Sequence, residues 1–175
     1  MRPSATSLLL SMLVCLSAAM APDASRAGPR LYPTLAPFQF MVGSWQCRSW
    51  VAAAGRGAPR VDAITAKYSV VGGGAALDQH VIGPDYRSFE LFGYQPSSKR
   101  IVTSAYADDG SRVLASSPGW AGSAITLSGK FQRGGLGMDL RDILLRFTDR
   151  RFTDTTELRE RGRWKTVTNS DCNKR

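Results

Sequence analysis

The chain has few of the residues on which metal and nucleophilic chemistry depends. It contains one histidine, His80, and 3 cysteines among 175 residues. No C-x-x-C pair, Gly-x-Ser-x-Gly elbow or phosphate-binding glycine loop occurs, and a lone histidine cannot complete a metal cluster. The sequence therefore gives no signature of a zinc site, a redox dithiol, a serine hydrolase or a nucleotide-binding enzyme. We expect a protein without catalytic activity, and we expect neither a metal nor a cofactor.

Long apolar runs are also scarce. The one candidate, residues 8–16, is far shorter than the roughly 20 apolar residues that a membrane-spanning helix needs,. Arg2 precedes this run and small residues follow it, which is the pattern of an export signal,. Cleavage after Ala27 is one interpretation, and cleavage after Ala21, at an A-x-A site, is the other.

The rest of the chain has the size of one ordinary domain. We predict a signal peptide over residues 1–27, a proline-containing lead-in over residues 28–37 and a single domain over residues 38–175. No later apolar run is long enough to cross a membrane,. The mature chain is therefore expected to have no transmembrane segment and to be periplasmic or secreted.

Acidic residues are outnumbered, and the excess of basic residues is greatest near the end of the chain. Without Arg2, Arg26 and Asp23, which precede the later cleavage site, the formal net charge falls from +9 to +8. Acids alternate with bases in the C-terminal third, which favours charged side chains on solvated strand faces. A basic surface would also suit an anionic envelope surface, such as lipid head groups or acidic glycans. A nucleic-acid partner is disfavoured, because the chain carries an export signal and no nucleic-acid-binding motif.

Two cysteines, Cys47 and Cys172, remain once the signal is removed. An even count in an oxidising compartment predicts a disulfide bond. The bond requires the two Cα atoms to lie within about 7 Å of each other. Cys47 lies in the first predicted strand and Cys172 at the end of the last one. The first and last strands must therefore be neighbours, which indicates a closed β-barrel.

Short strands punctuated by turn residues account for the chain from residue 43 onwards. Asp109-Gly110 is one of the stronger turn signals, because a tight hairpin needs residues that tolerate positive φ,. In the strand predicted over 138–148, apolar residues alternate so that Ile143, Leu145 and Phe147 share one face. The predicted strands are 43–52, 61–71, 76–82, 86–95, 100–107, 111–117, 122–131, 138–148, 151–160 and 163–170.

A short helical turn is predicted around residues 35–41, ahead of the first strand. About ten short antiparallel strands with tight connections predict an all-β fold, a closed up-and-down barrel without free edges. A two-sheet sandwich is the alternative that periodicity leaves open. The predicted disulfide favours closure.

The segment from Phe40 to Cys47, Phe-Met-Val-Gly-Ser-Trp-Gln-Cys, carries a family resemblance together with the terminal Asp171-Cys172. It resembles a bacterial secreted family of unknown function within the lipocalin-like (calycin) barrels. The likeness spans residues 35–173. It implies that Trp45 packs across the closed end of the barrel, often beneath an arginine from a late strand, with Arg159 and Arg161 as candidates. Gly43 would let the chain turn sharply into the barrel.

Small closed barrels are either packed solid or hold one small ligand. Aromatic residues distant from Trp45 in their strands are candidates for lining the mouth of the barrel. A mouth lined by aromatic side chains suits an apolar molecule with a few polar groups. We therefore expect a non-catalytic, exported binding protein for a small hydrophobic or amphipathic ligand. The candidate ligand-binding residues are Trp50, Tyr68, Phe89, Tyr94, Tyr106 and Trp120.

Three alternatives remain open at this point. A filled barrel could serve as a structural or partner-binding envelope protein. A haem-binding barrel like the lipocalin-like nitrobindins would need an axial ligand, for which His80 is the one histidine. Catalysis would need activated groups, and Glu90 and Asp142 lie in apolar strands where burial would raise the pKa of a carboxyl group.

Overall fold

The computed structural model describes residues 28–53 and 58–175. The predicted signal peptide and its cleavage sites therefore lie outside the described residues. A 3-10 helix over Ala36–Met41 precedes an almost entirely β-structured chain. The strands are β1 (Gly43–Val51), β2 (Arg60–Val71), β3 (Ala76–Ile82), β4 (Arg87–Gln95), β5 (Arg100–Ala107), β6 (Arg112–Ser117), β7 (Trp120–Ala121), β8 (Ala124–Arg133), β9 (Leu136–Thr148), β10 (Arg151–Glu160) and β11 (Arg163–Lys174).

The sheet is antiparallel and closes on itself. Its strand order runs from β6 through β5, β4, β3, β2 and β1 to β11, β10, β9 and β8, and β6 also pairs with β8. Ten strands thus form the ring, while the two-residue β7 is a short extension beside β8. The predicted closed barrel is confirmed, and every strand of the ring has both of its edges paired.

The disulfide joins the first and last strands of the chain. Cys47 and Cys172 are directly opposite in the ladder between β1 and β11, with their Cα atoms 4.0 Å apart. The bond spans 125 residues of sequence. In the chain-entropy model a loop of that length stabilises the folded state by about 4 to 5 kcal/mol. The predicted pairing is confirmed, and it covalently fixes the seam where the barrel closes.

One end of the barrel is plugged by aromatic side chains. Trp45 is fully buried, and its ring centroid lies 4.7 Å from that of Phe152 and 6.3 Å from that of Phe40. Its indole Nε1 donates a hydrogen bond of 2.6 Å to the carbonyl oxygen of Met41, in the 3-10 helix. The helix therefore closes this end, as the sequence indicated, and we refer to it as the closed end.

The cation next to Trp45 is a lysine, so the expectation of Arg159 or Arg161 is wrong. The Nζ atom of Lys174 lies 5.4 Å from the Trp45 ring centroid and donates a hydrogen bond of 2.8 Å to the carbonyl oxygen of Phe40. Strand β10 runs away from the closed end, which places Arg159 and Arg161 at the opposite end. Arg159 instead lies 6.0 Å from the ring of Trp164 on the outer face.

Gly43 lies where the chain enters β1, with φ of 122°. A Cβ atom there would approach the Lys174 side chain at 3.2 Å. Positive φ disfavours any residue with a side chain. The predicted role of Gly43 in the entry to the barrel therefore agrees with its backbone conformation.

Candidate functional site

Pairing register defines which side chains face the barrel interior. Residues that are Cα partners across a ladder share a face, and alternate residues along a strand point to opposite faces. Trp45 and Cys47 are buried on β1, and their partners Ala66 and Ile64 on β2 therefore face inward. The same reasoning places Glu90 inward on β4, since its partner Gln79 on β3 is buried.

A set of polar residues, the tyrosine arc, crosses the inner face of four neighbouring strands. Gln79 Nε2 donates a hydrogen bond of 2.7 Å to the Tyr68 hydroxyl, and both side chains are buried. Glu90 is the next residue across the ladder from Gln79. Its Oε1 accepts a hydrogen bond from the Thr103 hydroxyl. The tyrosine arc comprises Tyr68, Gln79, Glu90 and Thr103.

A second set, the aspartate arc, lies on β9 and β10 and comprises Asp142, Asp154 and Thr156. The Thr156 hydroxyl donates a hydrogen bond of 2.8 Å to Asp142 Oδ1. The carboxyl group of Asp154 lies next to that of Asp142, and this contact lowers the pKa of Asp142 and raises that of Asp154. Next to this arc, the Ser170 hydroxyl lies 2.9 Å from that of Ser49.

The two arcs face each other across the interior. In the ring order β4 and β10 are separated by five steps in either direction, so Glu90 and Asp154 lie on opposite walls. The carboxyl groups of the two walls affect one another. The charge of Asp142 raises the pKa of Glu90, and the charge of Glu90 raises the pKa of Asp154. The interior therefore carries one polar band near the middle of the barrel.

Burial raises the pKa of each carboxyl group of this band. Burial, helped by the charge of Asp142 and opposed by the Thr103 hydrogen bond, raises the pKa of Glu90 to about 8. Burial also raises the pKa of Asp142, and burial together with Asp142 raises that of Asp154 well above its ordinary value. The pKa of the Tyr68 hydroxyl is likewise raised, first by burial and then by the three carboxyl groups.

One oxygen of the band has no hydrogen-bond partner. Asp154 Oδ1 is buried and unpartnered in the described part of the chain. At the inward positions of this band the described strands provide no lysine or arginine. Two cations of the inward register, Arg146 and Lys174, lie at the closed end, where they contact Phe40 and Trp45. The other cations of the inward register lie exposed at the open end, and they are Arg60, Arg133, Arg163 and Lys165. The band is therefore an acidic interior inside a chain whose overall charge is positive.

Val81, Leu140 and Leu158 are buried inward side chains of the open half, but several other inward apolar side chains there are only partly buried. The latter contrast with the fully buried Trp45, Phe92 and Phe152 of the closed half. Glu90, Asp142 and Asp154 also retain some accessibility. Part of the inner wall of the open half is therefore accessible. The partly buried apolar wall comprises Ile64, Val113, Phe131 and Met138.

The six aromatic residues that we expected to bind a ligand are not brought together. Tyr68 faces inward in the polar band, and Tyr94 packs against the core near the closed end. Trp120 contacts Phe38 and borders a surface hollow of about 500 Å³ at the closed end.

The other three of these aromatic residues, Trp50, Phe89 and Tyr106, point outward, with 36%, 37% and 54% of their surface exposed. Each of them is adjacent in sequence to an inward residue that is small or polar, namely Ser49, Glu90 and Ala105. At these three positions the usual distribution is therefore inverted, with an aromatic side chain outside and a small or polar one inside.

His80 lies on the outer face. Its Nε2 is 3.3 Å from Asp78 Oδ2, and its ring stacks near that of Phe89 at 5.2 Å. Its side chain does not point into the interior, so it is not placed to act as an axial ligand for a haem inside the barrel. Within residues 28–53 and 58–175, no group of three or more histidine, cysteine, aspartate or glutamate side chains is arranged to hold a metal ion.

Many charged residues of the C-terminal strands are exposed and form ion pairs, which agrees with the expectation of charged side chains on solvated strand faces. Arg151 pairs with Asp171 at 3.0 Å, and Lys165 with Glu160 at 2.5 Å. Asp154, which the sequence grouped with these solvated acids, faces inward instead. Its signal was its register, because it alternates with the buried Phe152 and Leu158 along β10.

These observations define a class, a closed ten-stranded antiparallel barrel with one plugged end. The chain is similar to the crystal structure of Rv2717c from M. tuberculosis, with 11% identity and a TM-score of 0.61 over 83% of this chain and 99% of that one. This likeness shows a shared fold.

A second solved structure is a protein of unknown function from the DUF3598 family of Nostoc punctiforme. It is 12% identical and has a TM-score of 0.44, over 83% of this chain and 50% of that one. No family model and no curated protein matches the chain. None of the described helices is both long enough and apolar enough to cross a membrane.

Proposed function

We propose that this protein is an exported, non-catalytic binding protein that holds a small amphipathic molecule inside the barrel. The apolar part of the ligand contacts the open-half wall of Val113, Phe131 and Met138. Its polar group reaches the band that contains Glu90 and Asp154. The address outside the cytoplasm is supported by the N-terminal signal pattern and by the Cys47–Cys172 disulfide,.

The inverted distribution of side chains is the observation that carries this proposal. Exposing Phe89 and Tyr106 while burying Glu90 reduces the stability of the fold, because apolar burial is favourable and carboxyl desolvation is costly,. Such local conflicts with good packing are concentrated at functional sites. A barrel that served only as a structural element would gain stability from the opposite arrangement.

A blocking substitution tests whether the ligand binds inside. Ala105 faces inward beside Glu90, whereas Ala63 is exposed on the outer face of β2. We expect Ala105→Phe to weaken binding of a fluorescent single-chain amphiphile by about tenfold or more, which corresponds to about 1.4 kcal/mol. Ala63→Phe is the matched control and should leave the affinity unchanged. Native mass spectrometry of the delipidated protein provides the stoichiometry, expected to be one.

Two outcomes contradict the proposal. One is saturable binding that Ala105→Phe leaves unaltered, because the ligand would then lie outside the barrel. The other is no binding by any member of a panel of cationic, neutral and anionic amphiphiles. If Ala105→Phe does not fold, relaxation enhancement by a spin-labelled amphiphile replaces it. Broadening should then affect the amides of Glu90 and Asp142 before that of outward-facing Lys67.

A further inference from the structure

The interior band is matched to one class of polar group. We infer that the ligand carries a protonated amine, which binds between Glu90, Asp142 and Asp154 and releases carboxyl protons to the solvent as it does so. This inference rests on the proposed function and names its ligand class.

The geometry supports an ammonium group. Its three N–H donors suit an environment that offers acceptor oxygens from two opposite walls. One wall provides Glu90 on β4, and the other provides Asp142 on β9 and Asp154 on β10,. Asp154 Oδ1 is the independent sign of a missing donor, since it is buried without a partner although buried carboxyl oxygens are usually hydrogen-bonded,. An anionic head group would instead meet three carboxyl groups and no cation.

The groups that face the site set its charge. They are Tyr68 on β2, Glu90 on β4, Asp142 on β9 and Asp154 on β10, while Asp62 on β2 lies nearer the open end and is paired with Arg60 at 2.8 Å. At the closed end the inward cations are Arg146 and Lys174. Near the open end the inward register also carries exposed charged groups, namely Arg60 on β2, Arg133 on β8, Glu160 on β10, and Arg163 and Lys165 on β11. The described inward positions of β1, β3, β5 and β6 add no titratable group apart from the disulfide-bonded Cys47.

Proton balance follows from these environments. Without ligand Glu90 retains its proton near neutral pH, because burial and the charge of Asp142 raise its pKa to about 8, and burial shifts the pKa of Asp154 in the same direction,. When R–NH₃⁺ enters, the favourable charge pairing makes a carboxylic acid dissociate into a carboxylate and a proton that leaves for water. The amine keeps its own proton. Binding of the amine therefore becomes tighter as the pH rises towards the pKa of Glu90. At pH values above this pKa, Glu90 is already deprotonated in the free protein and releases no proton on binding.

Three probes of equal chain length separate this inference from the proposed function. They are decylamine, decanol and decanoate, titrated calorimetrically into the oxidised protein below their micellar concentrations. We expect decylamine to bind about tenfold more tightly than decanol near pH 8, which is the effect of one charge-assisted contact. Its affinity should rise by about three- to tenfold between pH 6 and pH 8. Titrations in two buffers of different ionisation enthalpy should show proton release.

Substitutions identify the groups responsible. Glu90→Gln and Asp154→Asn should each weaken decylamine binding by about tenfold while changing decanol binding by less than about threefold. Asp171→Asn, at an outward acid that pairs with Arg151, is the control and should change neither. Equal or tighter binding of decanol, or affinity for decylamine that falls with rising pH, overturns the inference but leaves the proposed function intact. Failure of all three probes to bind contradicts the proposed function itself.

Discussion

The pH dependence of folding provides a direct measure of the buried carboxyl at Glu90. Its pKa is about 8 in the folded protein, compared with an ordinary value of 4.5. Because the folded pKa is raised, the stabilising contribution of the neutral group is fully present below about pH 4.5 and is lost as pH rises through about 8,. The wild-type protein should therefore become less stable across this interval.

The magnitude follows from the same two values. A difference of one pKa unit corresponds to about 1.4 kcal/mol. The rise in the pKa of Glu90 from 4.5 to about 8 therefore changes the free energy of unfolding by at most about 5 kcal/mol,. Lumen water that reaches the side chain reduces the effect, so we expect about 2 kcal/mol. Glu90→Gln keeps the volume and the acceptor for Thr103 but cannot ionise. It should gain about 2 kcal/mol over wild type near pH 8.5 and little near pH 5.

Urea unfolding at the two pH values, followed by circular dichroism and tryptophan fluorescence, measures this difference. Glu160→Gln is the matched control, since Glu160 is exposed beside Lys165. A Glu90→Gln variant that is no more stable than wild type near pH 8.5 would falsify the claim that Glu90 is a buried, protonated carboxyl group. Asp142 and Asp154 keep a residual pH dependence in both proteins.

Further predictions concern the parts of the fold that hold the site. Replacing both Cys47 and Cys172 by serine should lower the free energy of unfolding by about 4 to 5 kcal/mol,, and equal stability of oxidised and reduced wild-type protein in urea would contradict this. Gly129→Ala should destabilise by about 3 kcal/mol or more, because its Cβ would lie 1.9 Å from the Leu114 carbonyl oxygen,. Gly137→Ala is the control, because a Cβ atom at this position would have no atom within 4 Å. Similar melting temperatures for the two variants would refute the close approach of β6 to Gly129. Trp45→Ala should cost about 3 to 5 kcal/mol,, whereas Trp164→Ala on the outer face should cost less than about 1.5 kcal/mol in the same assay.

Much of the barrel could be predicted from the sequence because turn residues mark its hairpins. All ten predicted strands begin within two residues of the observed ones, and the strand predicted from residue 122 begins at Ala124, after the separate β7. The last strand was predicted to end at residue 170 but continues to Lys174. Its polar end gave no apolar signal, and pairing with both β1 and β10 extends it through Cys172.

The face that each strand turns inward was harder to predict. Ile143, Leu145 and Phe147 do share a face of β9, but the buried face is that of Leu140 and Leu144. Apolar alternation identifies a strand without showing which side is inside when the outer face also carries apolar residues. The same ambiguity explains why Trp50, Phe89 and Tyr106 were expected in the ligand site.

The acidic interior was only partly accessible to sequence reasoning. Glu90 and Asp142 were singled out because each lies in an apolar strand, and the structure gives both a raised pKa. Asp154 was missed, since its neighbours Asp149 and Glu157 do belong to outward ion pairs. These carboxyl groups face one another only because the barrel closes and places β4 and β10 on opposite walls. No local sequence pattern predicts this arrangement.

A high-resolution structure of the oxidised protein with decylamine, at about pH 8, tests the central claim most directly. The account predicts one ligand inside the barrel, with its alkyl chain against Val113, Phe131 and Met138. Its nitrogen should lie about 3 Å from carboxyl oxygens of Glu90 and the Asp142–Asp154 pair. A barrel interior that excludes the ligand, with any bound molecule located on the outer surface, would contradict the account.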